Sequence, residues 1–142
     1  MKQVNDILKI KGRDVWSIGP DASVYDAIHL MTEKKVGALM VMDGDKLVGV
    51  ISETDYTRKI ILKGLTSQKT PVKAIMTSPV LYVQPEQDIE ECMILMTEKR
   101  TRHLPVIDAG KLVGLISIGD VVKSIIDEQR FTIEQLERYI SG

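Results

Sequence analysis

Lys46-Leu47-Val48-Gly49-Val50-Ile51-Ser52-Glu53-Thr54-Asp55 returns 65 residues later as Lys111-Leu112-Val113-Gly114-Leu115-Ile116-Ser117-Ile118-Gly119-Asp120. Outward from this pair, residues 20–61 align with 85–126 without a gap, and 18 of the 42 positions are identical. The block Leu30-Met31-Thr32-Glu33-Lys34 recurs intact as Leu95-Met96-Thr97-Glu98-Lys99. The chain is a tandem duplication of one unit, and self-similarity at this spacing decides the architecture before any local reading does.

Each unit carries the same local signals. Val24, Ala27, Ile28 and Met31 fall at i, i+3, i+4 and i+7, one apolar helical stripe, and Ile89, Cys92, Met93 and Met96 repeat it. Two short apolar runs follow, Ala38–Met42 and Leu47–Ile51, separated by the hairpin signal Asp43-Gly44-Asp45 and matched later by Asp108-Ala109-Gly110. Ser52-Glu53-Thr54-Asp55 then opens a second amphipathic helix through Ile60 and Leu62. Its counterpart runs from Ser117 through Val122, Ile125 and Ile126. Short strands precede the first helices, at Val15–Ile18 and Val80–Val83.

The expected fold is α+β, two tandem β-α-β-β-α repeats packed by a pseudo-twofold axis through their sheets, with ligand clefts where the repeats meet. The first repeat is expected over 12–63, a punctuated linker over 64–78, the second repeat over 79–126, and a helical extension over 127–142. Ile133, Leu136 and Ile140 stripe that extension, which has no counterpart in the first repeat. Such a stripe packs either against the protein's own surface or against a partner subunit.

Composition narrows the function classes. The 142 residues are 44% hydrophobic and 27% charged, the balance of a globular domain rather than a disordered chain. With 19 basic and 20 acidic residues the net charge is −1, and aromatic content is 4%, which argues against nucleic acid as a partner. No apolar run reaches the roughly 20 residues a bilayer requires, so no membrane role and a cytoplasmic location are expected. One cysteine, Cys92, and two histidines supply neither a metal set nor a nucleophile-base-orienter set, and no phosphate-cradling glycine motif is present. Catalysis, a catalytic cofactor and a metal are therefore not expected.

The pattern from Gly49 to Asp55, repeated from Gly114 to Asp120, resembles the signature of cystathionine-β-synthase (CBS) domains. So does Arg102-His103-Leu104-Pro105-Val106-Ile107-Asp108 ahead of the second hairpin. The resemblance spans about residues 12–126 and is to a stand-alone CBS pair, or Bateman module. It implies a regulatory, signal-transducing role in energy sensing through adenosine-containing ligands such as AMP, ADP, ATP or NAD. Ribose contacts would fall on Asp55 and Asp120, and phosphate contacts on Ser52, Ser117, Arg102, His103 and Arg58. Adenine would lie against Ser17, Ile18, Val83, Gln84 and Pro85, with Gly37, Ala38, Thr54 and Gly119 lining the clefts. A homodimer and a separate effector protein are also implied.

The chemistry is reasonable in itself. A carboxylate offers two acceptor oxygens to the two hydroxyl donors of a ribose diol. Ser52 and Ser117 stand where strand becomes helix, where free amides favour an anion. The same Ser-x-x-Asp spacing also reads as a capping box, and Gly49 and Gly114 either relieve crowding or admit a ligand to the backbone. Arg102-His103 in one repeat faces Gly37-Ala38 in the other, so the two sites should differ: a mononucleotide suits the first and a bulkier adenine ligand such as NAD the second. Among the alternatives, a ligand-free structural or dimerisation module that binds a partner protein stands ahead of an enzyme. Trp16 is expected as a packing anchor and Cys92 as a buried, inert hydrophobe.

Overall fold

The structure is a computed structural model that describes residues 2–141. The chain divides into two compact units, one of residues 15–81 and one joining residues 2–14 to 82–141.

In the 15–81 unit, β1 (Ser17–Ile18) runs parallel to β2 (Ala38–Asp43), which pairs antiparallel with β3 (Lys46–Ser52). The hairpin turns at Gly44, whose φ of 61° lies where glycine is at ease. A register shift between Val41 and Met42 bends the ladder. α2 (Val24–Lys34) starts at Ser23, whose hydroxyl accepts the Asp26 N–H, and it buries Val24, Ala27 and Met31. These pack with Leu39, Val41 and Ile51 from the sheet. After β3 comes one α-helical turn, α3 (Glu53–Tyr56), which widens into a π-helical turn over Thr57–Ile61 and buries Ile60.

The other unit repeats this order. α4 (Ile89–Lys99) buries Ile89, Cys92 and Met96, and β4 (His103–Asp108) pairs antiparallel with β5 (Lys111–Ser117). Its register shift, between Val106 and Ile107, lies 65 residues after the one in the first hairpin. α5 (Ile118–Ser141) then runs without interruption for 24 residues, with only Val121 buried and every residue from 129 to 141 exposed.

Two features differ from the sequence reading. The strand expected over Val80–Val83 narrows to Val83 alone, whose N–H donates to Pro105 and whose carbonyl accepts the Ile107 N–H. Pro79 and Pro85 bracket this stretch and lack the N–H a ladder needs. Trp16 is 39% exposed, with the Lys34 ammonium 4.4 Å above its ring, so it is a surface residue rather than a packing anchor.

Each unit is completed by a segment from outside its repeat. α1 (Val4–Lys11) places Val4, Ile7 and Leu8 in the core of the second unit. Residues 72–76, a 3-10 turn over Val72–Ala74 followed by Ile75 and Met76, do the same in the first. The match extends to the backbone: Val4 N–H donates to Gln87 and Val72 N–H to Ala22, which are repeat equivalents. Full burial of three such side chains contributes about 1.5–3 kcal/mol each.

Candidate functional site

The Ser-x-x-Asp motif closes on itself in both units. The Ser52 N–H donates to Asp55 Oδ2 at 2.9 Å, and the Asp55 N–H donates back to Ser52 Oγ at 3.3 Å. Ser117 and Asp120 repeat the exchange at 2.8 and 3.2 Å. This is a capping box: strand ends at the serine, and the carboxylate three residues on satisfies the serine amide. Glu53 N–H donates to Gly37 and Ile118 N–H to Arg102, again equivalent bonds. The amides of Ser52, Glu53 and Asp55, and of Ser117, Ile118 and Asp120, are thus already engaged. Thr54 and Gly119 carry the first-turn amides that these bonds leave out.

What faces the remaining carboxylate oxygens differs. Asp55, 8% exposed, receives Lys59 Nζ at 3.2 Å and Thr77 Oγ1 at 3.4 Å on Oδ1. Lys59 also donates to the Ile75 carbonyl. Asp120 instead receives Lys11 Nζ at 2.6 Å, on the same Oδ2 that caps the helix. Burial alone would raise the Asp120 pKa, but the Lys11 ammonium and the Ser117 amide outweigh it and hold it below the ordinary carboxylate value. In both units a lysine ammonium sits on the motif carboxylate, on Oδ1 of Asp55 and on Oδ2 of Asp120.

The other residues singled out in the sequence fall into two groups. Arg102 and His103 lie beside the second motif: His103 pairs across the hairpin with Ser117, so their side chains share a face, and Arg102 is exposed. In the first unit Ala38 takes the His103 place opposite Ser52 and is buried. Thr54 and Gly119 are exposed beside their motifs. Arg58 is exposed in the π-helical turn three residues after Asp55, and Ser17 and Ile18 pair with Met40 and Val41. Val83 and Pro85 are buried, and the Pro85 carbonyl accepts the Asn5 N–H, while Gln84 is exposed. Val83 therefore commits its side chain to the core.

The two motif glycines have a packing role. A Cβ on Gly114 would lie 2.7 Å from Leu8 Cδ2, and one on Gly49 would press still closer on Met76 Sδ and lie 2.8 Å from its Cγ. The space each leaves is filled by its completing segment. Cys92 is fully buried, and burial, then Glu91 and Asp88, push its thiol up to about 11. Among the described residues no group of three His, Cys, Asp or Glu could hold a metal ion, and no helix is long and apolar enough to cross a membrane.

Lys11, Lys59 and Thr77 are the site residues that sequence reasoning missed. Lys59 had a signal, four residues after Asp55 on one helical face. Lys11 lies 109 residues from its partner and had none.

Known proteins carry the same duplication. The CBS domain family model matches residues 4–62 and again 72–127. The mitochondrial CBS domain-containing protein CBSX3 of Arabidopsis thaliana is 40% identical over 98% of this chain and 72% of its own length. A CBS-domain protein from Burkholderia ambifaria superposes with a TM-score of 0.87 at 53% identity, covering 90% of this chain and 96% of its own. The hexameric CBS-CP12 protein of bloom-forming cyanobacteria superposes at 0.77 with 32% identity, over 86% of this chain and 70% of its own. With both repeats matched in sequence and in fold, this chain belongs to the CBS-domain family as a tandem CBS pair with a regulatory role.

Proposed function

We propose that this CBS pair is a non-catalytic sensor that binds adenosine-containing nucleotides at its two Ser-x-x-Asp motifs and transmits occupancy to a separate effector protein. The observation that carries the reading is the pair Asp55 and Asp120, each presented on the first turn after a strand and each neutralised by a lysine. A cation held on a carboxylate by one or two contacts can be exchanged for ribose hydroxyls, which restore the hydrogen bonds bidentately. Phosphate would be met by Ser52 and Arg58 in one unit, and by Ser117, Arg102 and His103 in the other. Adenine would lie along Ser17 and Ile18, or along Gln84 and Pro85 and the Val83 backbone.

The sites are inequivalent in this reading. Gly37-Ala38 leaves the first without the cations that Arg102-His103 brings to the second, so AMP suits the first and a ligand with more phosphate, ATP or NAD, the second. Nucleotide shifts the module's conformation only by its difference in affinity for two states. The cytoplasm is the proposed setting.

Thermal melting with adenine and guanine nucleotides tests the proposal. A ligand at 100 times its dissociation constant adds about 2.7 kcal/mol, a rise of several degrees. A rise with adenine ligands alone supports the sensor. No rise, with protein free of copurified nucleotide, favours the second reading, a ligand-free structural module. That reading draws support from the capping role that Asp55 and Asp120 already serve at the starts of their helices.

A further inference from the structure

Lys11 ends α1 at the place where the chain passes from one unit to the other. Residues 12–14 follow it, and the 15–81 unit opens with Val15, Trp16 and the two-residue strand β1. Lys11 sits on Asp120, the carboxylate proposed to hold ribose at the second motif. Six residues later comes Ser17, on the strand proposed to receive adenine at the first. One short stretch of chain therefore touches the chemistry of both sites.

The two crossings between the units are held differently. The later one starts at Thr77, whose N–H donates to the Val50 carbonyl at 2.8 Å and whose carbonyl accepts the Val50 N–H at 3.1 Å. Those backbone bonds clamp it to β3 independently of Asp55. The earlier crossing leaves from an exposed stretch, residues 9–14. Here the Gly12 N–H bonds back to Leu8 and the Arg13 guanidinium to Asn5, both within the same N-terminal segment. The polar contact that ties the end of α1 to the rest of its unit is the Lys11 ammonium on Asp120 Oδ2, 2.6 Å away. The buried anchor before it is Leu8.

Lys11 thus sets how much free chain precedes β1. Paired, it leaves the five residues 12–16 between a fixed point and the strand; released, it leaves the eight residues 9–16. Closing the longer loop is less favourable by about two-fold in the equilibrium constant. The strand that must bear this is short, its start held by the Met40 N–H on the Trp16 carbonyl.

We propose that Lys11 couples the two nucleotide sites with negative sign. Ribose at Asp120 displaces the ammonium, the connection slackens, and the Ser17–Ile18 surface of the first site loses order. This coupling rests on the adenosine-sensor reading. It is reciprocal: nucleotide at the first site orders β1, favours the Lys11 pair and weakens the second site by the same factor. Loop length sets that factor at about two-fold. The half-exposed ion pair limits it to about five-fold. Lys11 is a positioning residue for a strand in the other unit.

Calorimetry and hydrogen exchange on the full chain, with AMP and ATP as probes, test this. The affinity that Asp55→Ala removes belongs to the first site. Lys11→Met weakens that affinity about two- to five-fold and speeds exchange of the Met40 amide, which reports the seating of β1, by the same factor. Lys11→Arg keeps the charge pair and leaves both near wild type. In Asp55→Ala, which leaves the second site to bind, saturating nucleotide speeds Met40 exchange. With Lys11→Met added, exchange is fast from the start and nucleotide no longer changes it. A merely local ion pair would leave Met40 and the first site untouched in Lys11→Met. That result, with nucleotide bound at both motifs, overturns the coupling and spares the sensor reading. Absence of nucleotide binding at either motif overturns both.

Discussion

Lys11 Nζ lies 2.6 Å from Asp120 Oδ2, joining the end of the first helix to the start of the last across 109 residues of chain. The carboxylate it neutralises is the one proposed to hold ribose, so ligand and lysine compete for the same oxygen. The pair is 33% and 24% exposed, which limits its strength to about 1 kcal/mol or less. Lys11→Met therefore tightens adenine nucleotide at the second site by up to about five-fold, read by calorimetry. Weaker binding would make Lys11 a ligand contact instead of a competitor.

The same contact sets an acid limit. Asp120 has a depressed pKa in the folded protein, so its contribution is fully present above the ordinary carboxylate value of 3.8. It is lost as pH falls below 3.8 and through the depressed folded value. Lys11→Met flattens this part of the stability–pH curve and leaves the region above about pH 5 nearly parallel to wild type. Urea denaturation at a series of pH values measures it.

Asp55→Ala and Asp120→Ala separate the two duties of the motif. Each opens a capping box, which costs about 0.5–2 kcal/mol of stability. Each also removes the proposed ribose contact, which weakens adenosine ligands at one site by about 1.5–3 kcal/mol. Calorimetry on the folded variants distinguishes them: stability lost with affinity intact leaves capping as the whole role. A ligand effect confined to one of two sites per variant supports the reading of inequivalent sites.

Cys92 is a further check on packing. Its thiol is pushed up to about 11 by burial first and then by Glu91 and Asp88, so the reactive thiolate is suppressed at neutral pH. An aromatic disulfide reagent at pH 8 should react only as fast as the protein unfolds, and stoichiometrically in denaturant. Prompt labelling of native protein would mean that the core around Ile89 and Met96 is open.

The hairpins, the paired helices and the Ser-x-x-Asp turns are legible in the sequence because each rests on contacts within a few residues, and the duplication shows every signal twice. The completing segments are not legible in that way. Val4, Ile7 and Leu8 span barely one helical turn, and their partners lie about a hundred residues away at Gly114 and Val121. The spacing is nevertheless present, since Val72, Ile75 and Met76 repeat it at an offset of 68 rather than 65. The gapless alignment begins only at residue 20 and misses this shift. The lysine on Asp120 was hidden for the same reason, because it travels on the completing segment.

Those segments make unequal demands on the two motif glycines. An alanine methyl at Gly114 meets Leu8, which is 1% exposed and hemmed in by the core. At Gly49 it meets Met76, an unbranched thioether that is only partly buried and can swing aside. Neither glycine has a left-handed φ, so backbone strain plays no part. Gly114→Ala should cost about 1–3 kcal/mol through overpacking. At Gly49 the loss should be smaller, because the unbranched, partly exposed Met76 can take another rotamer, while the entropy that alanine removes from the unfolded chain is the same at both positions. Thermal melting of the two variants decides, and equal losses would mean that Leu8 can move as freely as Met76.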